Sequence, residues 1–212
     1  MLAFLLAAAA WTSLFDGTLE KFLPASPAWV VEDGVLAAKP HNTESVYLVT
    51  RDAWRAFELE FDYKLEKGAN SGVKYLVQYF ERTERRETLY GIEFQLIDEA
   101  HDDAGPPANR TGALYNLLAP TSAPARPAGE WNTARLVVRG AAFEHWINGV
   151  KVLEGDLDSA ELRAVLLQRW GKGRPGTVKA LTERKRSECP VAFQNHGDAP
   201  VYFRKIRILP LP

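Results

Sequence analysis

Apolar and polar residues alternate along most of this chain in short runs separated by turn residues, which is the period of a half-exposed β-strand. Phe57-Glu58-Leu59-Glu60-Phe61-Asp62-Tyr63-Lys64-Leu65 keeps that alternation almost without fault. Its apolar side includes aromatics large enough to build a core, so Glu58, Glu60 and Asp62 are expected to face solvent rather than to form an acidic catalytic strand. Similar runs cover residues 29–38, 45–50, 73–79, 91–98, 111–118, 131–140, 142–153, 191–197 and 201–208. Asp33-Gly34 and Asn148-Gly149 divide two of them at the dipeptides that favour tight hairpins. Only one stretch carries a helical period: in Ser159 to Trp170, Leu162, Val165, Leu166 and Arg169 recur on one face, with Asp158 placed to cap and Gly171 to stop. Around a dozen strands and one short helix predict an all-β fold, a two-sheet antiparallel β-sandwich.

At 212 residues with 46% hydrophobic content the chain suits a single sandwich, expected over 11–212, and it shows no internal repeat. A formal net charge of −1 gives no field to gather nucleic acid. The single cysteine, Cys189, excludes an internal disulfide. Met1 to Ala10 is an apolar Leu/Ala run, too short to span a bilayer, and reads as the remnant of a secretory signal. No other stretch approaches a membrane helix in length, so no membrane span is expected.

Candidate chemistry centres on Gly91-Ile92-Glu93-Phe94-Gln95-Leu96-Ile97-Asp98, where Glu93 and Gln95 share one face of a strand among apolar neighbours. A carboxylate and a carboxamide there are either satisfied inside the protein or line a cleft. Asp98, His101, Tyr115, Glu144, His145, Gln194 and His196 also sit amid strand or strand-end patterns, and Asn70 lies in the turn cluster Gly68 to Gly72 as a turn former or a ligand contact. None is diagnostic alone; together they form an acid/base groove only if they converge. There is no phosphate-binding glycine loop, no Cys/His zinc spacing and no Gly-x-Ser-x-Gly elbow.

Eight segments, in order, carry a family resemblance: W-T-S-L-F-D-G at 11–17, W-V-V-E-D-G-V-L at 29–36, G-A-N-S-G at 68–72, E-F-Q-L-I-D at 93–98, T-G-A-L-Y at 111–115, A-G-E-W-N at 128–132, E-H-W-I-N-G-V at 144–150 and Q-N-H-G at 194–197. The combination, spanning Trp11 to Leu211, resembles the 3-keto-disaccharide hydrolase family. Asn116, where an acid is expected after the Tyr, and Cys189-Pro190, where glycine is usual, depart from its pattern. The resemblance implies a concanavalin A-like jelly roll, an exported bacterial enzyme (secreted or periplasmic) and a 3-keto-glycoside substrate.

In such a substrate the ketone acidifies the C2 hydrogen, so C1 can lose its substituent by elimination and then take up water. That route needs a base at C2, a donor for the enolate oxygen and an acid for the leaving oxygen. His196, His145 and Glu93 are the catalytic candidates. Asn70, Gln95, Asp98, His101, Tyr115, Glu144, Trp146 and Gln194 are the candidates for holding the sugar. Glu93, Gln95, His145 and His196 are expected to meet in one groove. His196, before a glycine at a strand end, is the expected base, since an ordinary histidine titrates near pH 6.5. No cofactor is required, and a divalent cation and the oligomeric state stay open. The rivals are a non-catalytic carbohydrate-binding sandwich and a retaining glycosidase with carboxylates roughly 5 Å apart.

Overall fold

The computed structural model describes residues 10–82 and 87–212. The expected N-terminal leader falls almost wholly outside them, as does the centre of the charged run Glu81 to Glu87. In chain order the strands are β1 (Thr12–Ser13), β2 (Trp29–Glu32), β3 (Val35–Ala38), β4 (Val46–Val49), β5 (Ala56–Leu65), β6 (Asn70–Arg82), β7 (Glu87–Ile97), β8 (Asn132–Arg139), β9 (Ala142–Ile147), β10 (Val150–Asp156), β11 (Ala192–Asn195) and β12 (Val201–Pro210). The larger sheet runs β10-β9-β8-β5-β12-β3-β2, with β1 added along β12; the smaller runs β4-β11-β6-β7.

Alternation in β5 explains how the sheets meet. Phe57, Leu59, Phe61, Tyr63 and Leu65 are buried in the core shared with the smaller sheet, where the Phe61 ring meets that of Phe193 edge-on at 5.5 Å. The acids of β5 point the other way and are neutralised along the sheet surface: Glu58 by Arg135 at 2.6 Å, Asp62 by Arg204 and Lys205, each at 3.0 Å. Burial of the aromatic face stabilises the sandwich, while the acids on the wet face keep the larger sheet soluble.

Three local expectations change. Helix α1 (Ala160–Trp170) is capped by Ser159, whose hydroxyl accepts from the Leu162 N–H at 3.1 Å. Asp158 instead binds Arg163 and Arg184. A second helix, α2 (Pro175–Glu183), follows; it buries only Val178 and Leu181, too few positions to print a helical period on the sequence. The segment 111–118 is a chain of turns rather than a strand; it follows β7 through irregular backbone bonds, Gly112 N–H to the Gln95 carbonyl, Gln95 N–H to that of Ala113 and Tyr115 N–H to that of Glu93, before Asn116 turns it in a left-handed conformation with φ 60°.

β9 corrects three candidate assignments. His145 shares its face with Phe143 and Ile147 and lies wholly inside the core, its ring stacked on Phe94 at 4.0 Å. Its Nδ1 sits 2.9 Å from the Gly112 carbonyl and its Nε2 2.8 Å from the Tyr75 hydroxyl, so Nδ1 carries the proton and Nε2 accepts. Both nitrogens are used, and His145 can serve no groove. Glu144 and Trp146 point to the outer face of the larger sheet, where the indole N–H donates to the Glu144 carboxylate at 2.8 Å. Neither touches the smaller sheet's polar face.

Burial pushes the His145 pKa down to about 3, against the pull of the Gly112 carbonyl. The unfolded chain, titrating near 6.5, then binds a proton below that pH that the native state refuses down to about 3. This part of the stability is complete above pH 6.5 and is lost on acidification by about 1.4 kcal/mol per pH unit. Urea denaturation between pH 4 and pH 7 is expected to show His145→Gln losing less stability than the parent on acidification. Equal slopes in the two proteins would contradict a neutral buried imidazole.

Candidate active site

The smaller sheet turns one dry face to the core; its other face carries a small apolar cluster of Tyr47, Val49, Val77, Leu89 and Ala192 beside a polar stretch. Strand parity places Asn70, Gly72 and Lys74 of β6, Glu93 and Gln95 of β7, Gln194 of β11 and Tyr47 of β4 on that other face, and Gly72 stands opposite both Gln95 and Gln194. Their odd-numbered β6 neighbours Val73 and Tyr75, with Phe94 and Phe193, belong to the core. Walls rise around this floor from residues 43–45, from Tyr115 and from the start of α2 at 173–177, enclosing a groove of ≈ 770 Å³ that His196 also lines. Close approach of α2 depends on Gly176, where a Cβ would lie 2.9 Å from the Tyr90 hydroxyl.

At the centre of the floor Lys74 Nζ lies 3.3 Å from a Glu93 carboxylate oxygen, with 8% and 4% of these residues exposed. The Glu93 side chain lies across Gly72, and a Cβ at position 72 would run into its carboxylate. Burial opposes the charge on Lys74, but Tyr47 and Glu93 beside it outweigh that and raise its pKa, so an ammonium persists at neutral pH. Next to the pair, Gln95 donates through Nε2 to Asn70 Oδ1 at 3.1 Å, while Gln95 Oε1 is buried without a protein partner. Burial, helped by the charge of Glu93, raises the Tyr115 pKa and keeps its phenol protonated. The Arg174 guanidinium lies over the Tyr115 ring at 5.9 Å.

At one end of the groove His196 Nδ1 is 2.5 Å from Asp198 Oδ2. The same oxygen is 3.1 Å from His101 Nε2. These three ligand-type atoms lie within 4.8 Å of one another, the one such cluster among the described residues. Hydrogen bonds from His101 and His196 overcome the effect of burial and hold the Asp198 pKa low, so it is a carboxylate throughout the neutral range.

Six sequence candidates therefore share the groove: Asn70, Glu93, Gln95, Tyr115, Gln194 and His196. Asp98 does not; its Oδ2 accepts from the Gly68 and Ala100 N–H groups at 2.7 and 3.3 Å, closing a turn. His101 stands behind Asp198 rather than on the groove wall. Tyr47, Lys74, Arg174 and Asp198 were missed. Lys74 was legible, since it keeps parity with Asn70 on the same strand, and Asp198 stands two residues beyond His196; Arg174, between two helices, left no periodic signal.

The sequence model of the 3-keto-alpha-glucoside-1,2-lyase-like domain matches residues 10–209. A 3-keto-disaccharide hydrolase from Bacteroides thetaiotaomicron is 29% identical over 205 residues, covering 85% of this chain and 69% of that protein. A crystal structure from Parabacteroides distasonis, of a protein provisionally named a glycosyl hydrolase, superimposes with a TM-score of 0.80 at 24% identity, covering 95% of this chain and 94% of the other. A second from the same organism gives 0.72 at 26% identity, covering 95% and 100%.

Because Lys74 and Glu93 are both nearly buried, removing one strands the other. Lys74→Met is expected to cost about 3–5 kcal/mol in chemical denaturation. Adding Glu93→Gln to Lys74→Met should recover most of that loss. A double variant no more stable than Lys74→Met alone would show that the two side chains do not depend on each other.

Proposed function

The chain belongs to the 3-keto-alpha-glucoside-1,2-lyase-like family, and on that premise we propose that it cleaves 3-keto-glycosides in the groove of the smaller sheet. The observation that carries this reading is the meeting, in one open groove, of a carboxylate-held histidine, a persistent ammonium and a protonated phenol. His196 takes the C2 proton, and the electron pair of that bond moves toward the C3 oxygen. The Lys74 ammonium offers its charge to the oxygen on which negative charge collects. The C1–O bond then breaks, and Tyr115 is the donor for the departing oxygen. Water adds at C1 and a proton returns to C2, so the net change is hydrolysis.

Asn70 and Gln95, joined by a hydrogen bond and both lining the groove, support a role for the floor in holding the sugar. Glu93 is the second candidate for the base, but its ion pair with Lys74 and its position across Gly72 favour a fixed carboxylate. The Met1–Ala10 run supports action outside the cytoplasm; an intact Met1 on cytosolic protein from the native host, read by mass spectrometry, would refute that part.

The test compares 3-keto-glycosides with their unoxidised parents. Sugar release is expected from the ketones alone, and His196→Ala, with circular dichroism unchanged, should turn over roughly a hundredfold or more slowly. Saturable binding of the ketone without release would make the protein a carbohydrate-binding module. Cleavage of the unoxidised parent would indicate an ordinary glycosidase.

A further inference from the structure

His101 lies outside the groove, yet its ring is fixed at both nitrogens. Nδ1 faces the backbone N–H of Asp103 at 3.0 Å and must accept, so the ring proton is on Nε2. That Nε2–H then donates to Asp198 Oδ2 at 3.1 Å. The same oxygen faces His196 Nδ1 at 2.5 Å, and a carboxylate with a low pKa can only accept there. His196 therefore carries its proton on Nδ1 and leaves Nε2 as the lone pair. The fourth histidine does not compete, because His41 Nε2 faces the Asn195 carbonyl at 3.3 Å.

Asp198 needs such a restraint. Its side chain is 40% exposed, and it follows Gly197, whose φ of 99° and close packing on His41 turn the chain so that Asp198 comes back beneath His196. Without a second donor this carboxylate would be one solvated rotamer among several.

We propose that His101 is a positioning residue: through its Nε2–H it pins Asp198, and thereby selects the His196 tautomer whose Nε2 can accept a proton from substrate. This rests on His196 as the base, but the tautomer itself can be read without any turnover. The three atoms also offer a donor set suited to a transition metal. A metal on His101 Nε2 would force the ring proton onto Nδ1, against the Asp103 N–H, so the backbone favours the hydrogen-bonded chain.

The experiment is long-range proton–nitrogen correlation NMR on the 15N-labelled full chain at about pH 8.5, where ordinary imidazoles are neutral. Expected are the Nε2–H tautomer at His101 and Nδ1–H at His196. In His101→Ala, His196 should pass mainly to Nε2–H. In His101→Gln, whose amide can accept from Asp103 and donate to Asp198, Nδ1–H should return. kcat on a 3-keto-glucoside should follow the tautomer, falling about tenfold in His101→Ala with KM little changed and recovering in His101→Gln. If His101→Ala does not fold, His101→Asn, too short to span the same gap, takes its place. An Nδ1–H tautomer that persists at His196 in a folded His101→Ala or His101→Asn variant overturns the proposal. So does stoichiometric Zn²⁺ that displaces both ring protons in the parent, which would make the cluster a metal centre. Tautomers as expected with no turnover on any 3-keto-glycoside would leave the positioning intact and remove the functional reading instead.

Discussion

An ammonium and a carboxylate cannot both be withdrawn from water unless each answers the other, and the smaller sheet is arranged around that requirement. Lys74 and Glu93 are neighbours on adjacent strands, and Glu93 finds room only because position 72 has no side chain. From that pair the rest of the floor follows by register. Gln95 and Gln194 flank Gly72 on either side, Tyr47 stands beyond Gln194, and Asn70 ties down the Gln95 amide. The polar face could not have been built as a second dry face, since its charges would then have lacked solvent and ligand access. The sheet is instead left open on one side, with α2 and the flanking loops supplying walls.

Period-two patterning carried much of this to the reader of the sequence. β5 is legible because it places all its large apolar residues on one parity, and in β7 the polar pair Glu93 and Gln95 stands out between Ile92, Phe94 and Leu96 on the other. Parity also held a warning about His145: Phe143 and Ile147 share its face, and a residue between two apolar same-face neighbours belongs to the core. His196 lies past the end of β11, where its neighbours set no such constraint. Long-range partners were not legible. Nothing local announces that Asp98 closes a turn begun at Gly68, or that His101, ninety-odd residues before Asp198, shares its carboxylate.

His145 and His196 show how environment divides roles within one residue type. Both have one nitrogen committed as a donor, His145 to a carbonyl and His196 to a carboxylate. At His145 the second nitrogen is also consumed, by Tyr75, inside a stack of aromatic rings that excludes charge. His196 lines an open groove, so the same chemistry that makes His145 a fixed strut of the core leaves His196 placed to offer a lone pair.

Loss of the C2 proton is the step on which the proposed cleavage turns, and isotope exchange reads it directly. When a 3-keto-glycoside is turned over in D2O, the released 3-keto sugar is expected to carry deuterium at C2, because that position is opened by the elimination and closed again from solvent. Release of sugar that retains its original C2 hydrogen in full would contradict it, placing bond cleavage on a route that the groove's base does not serve.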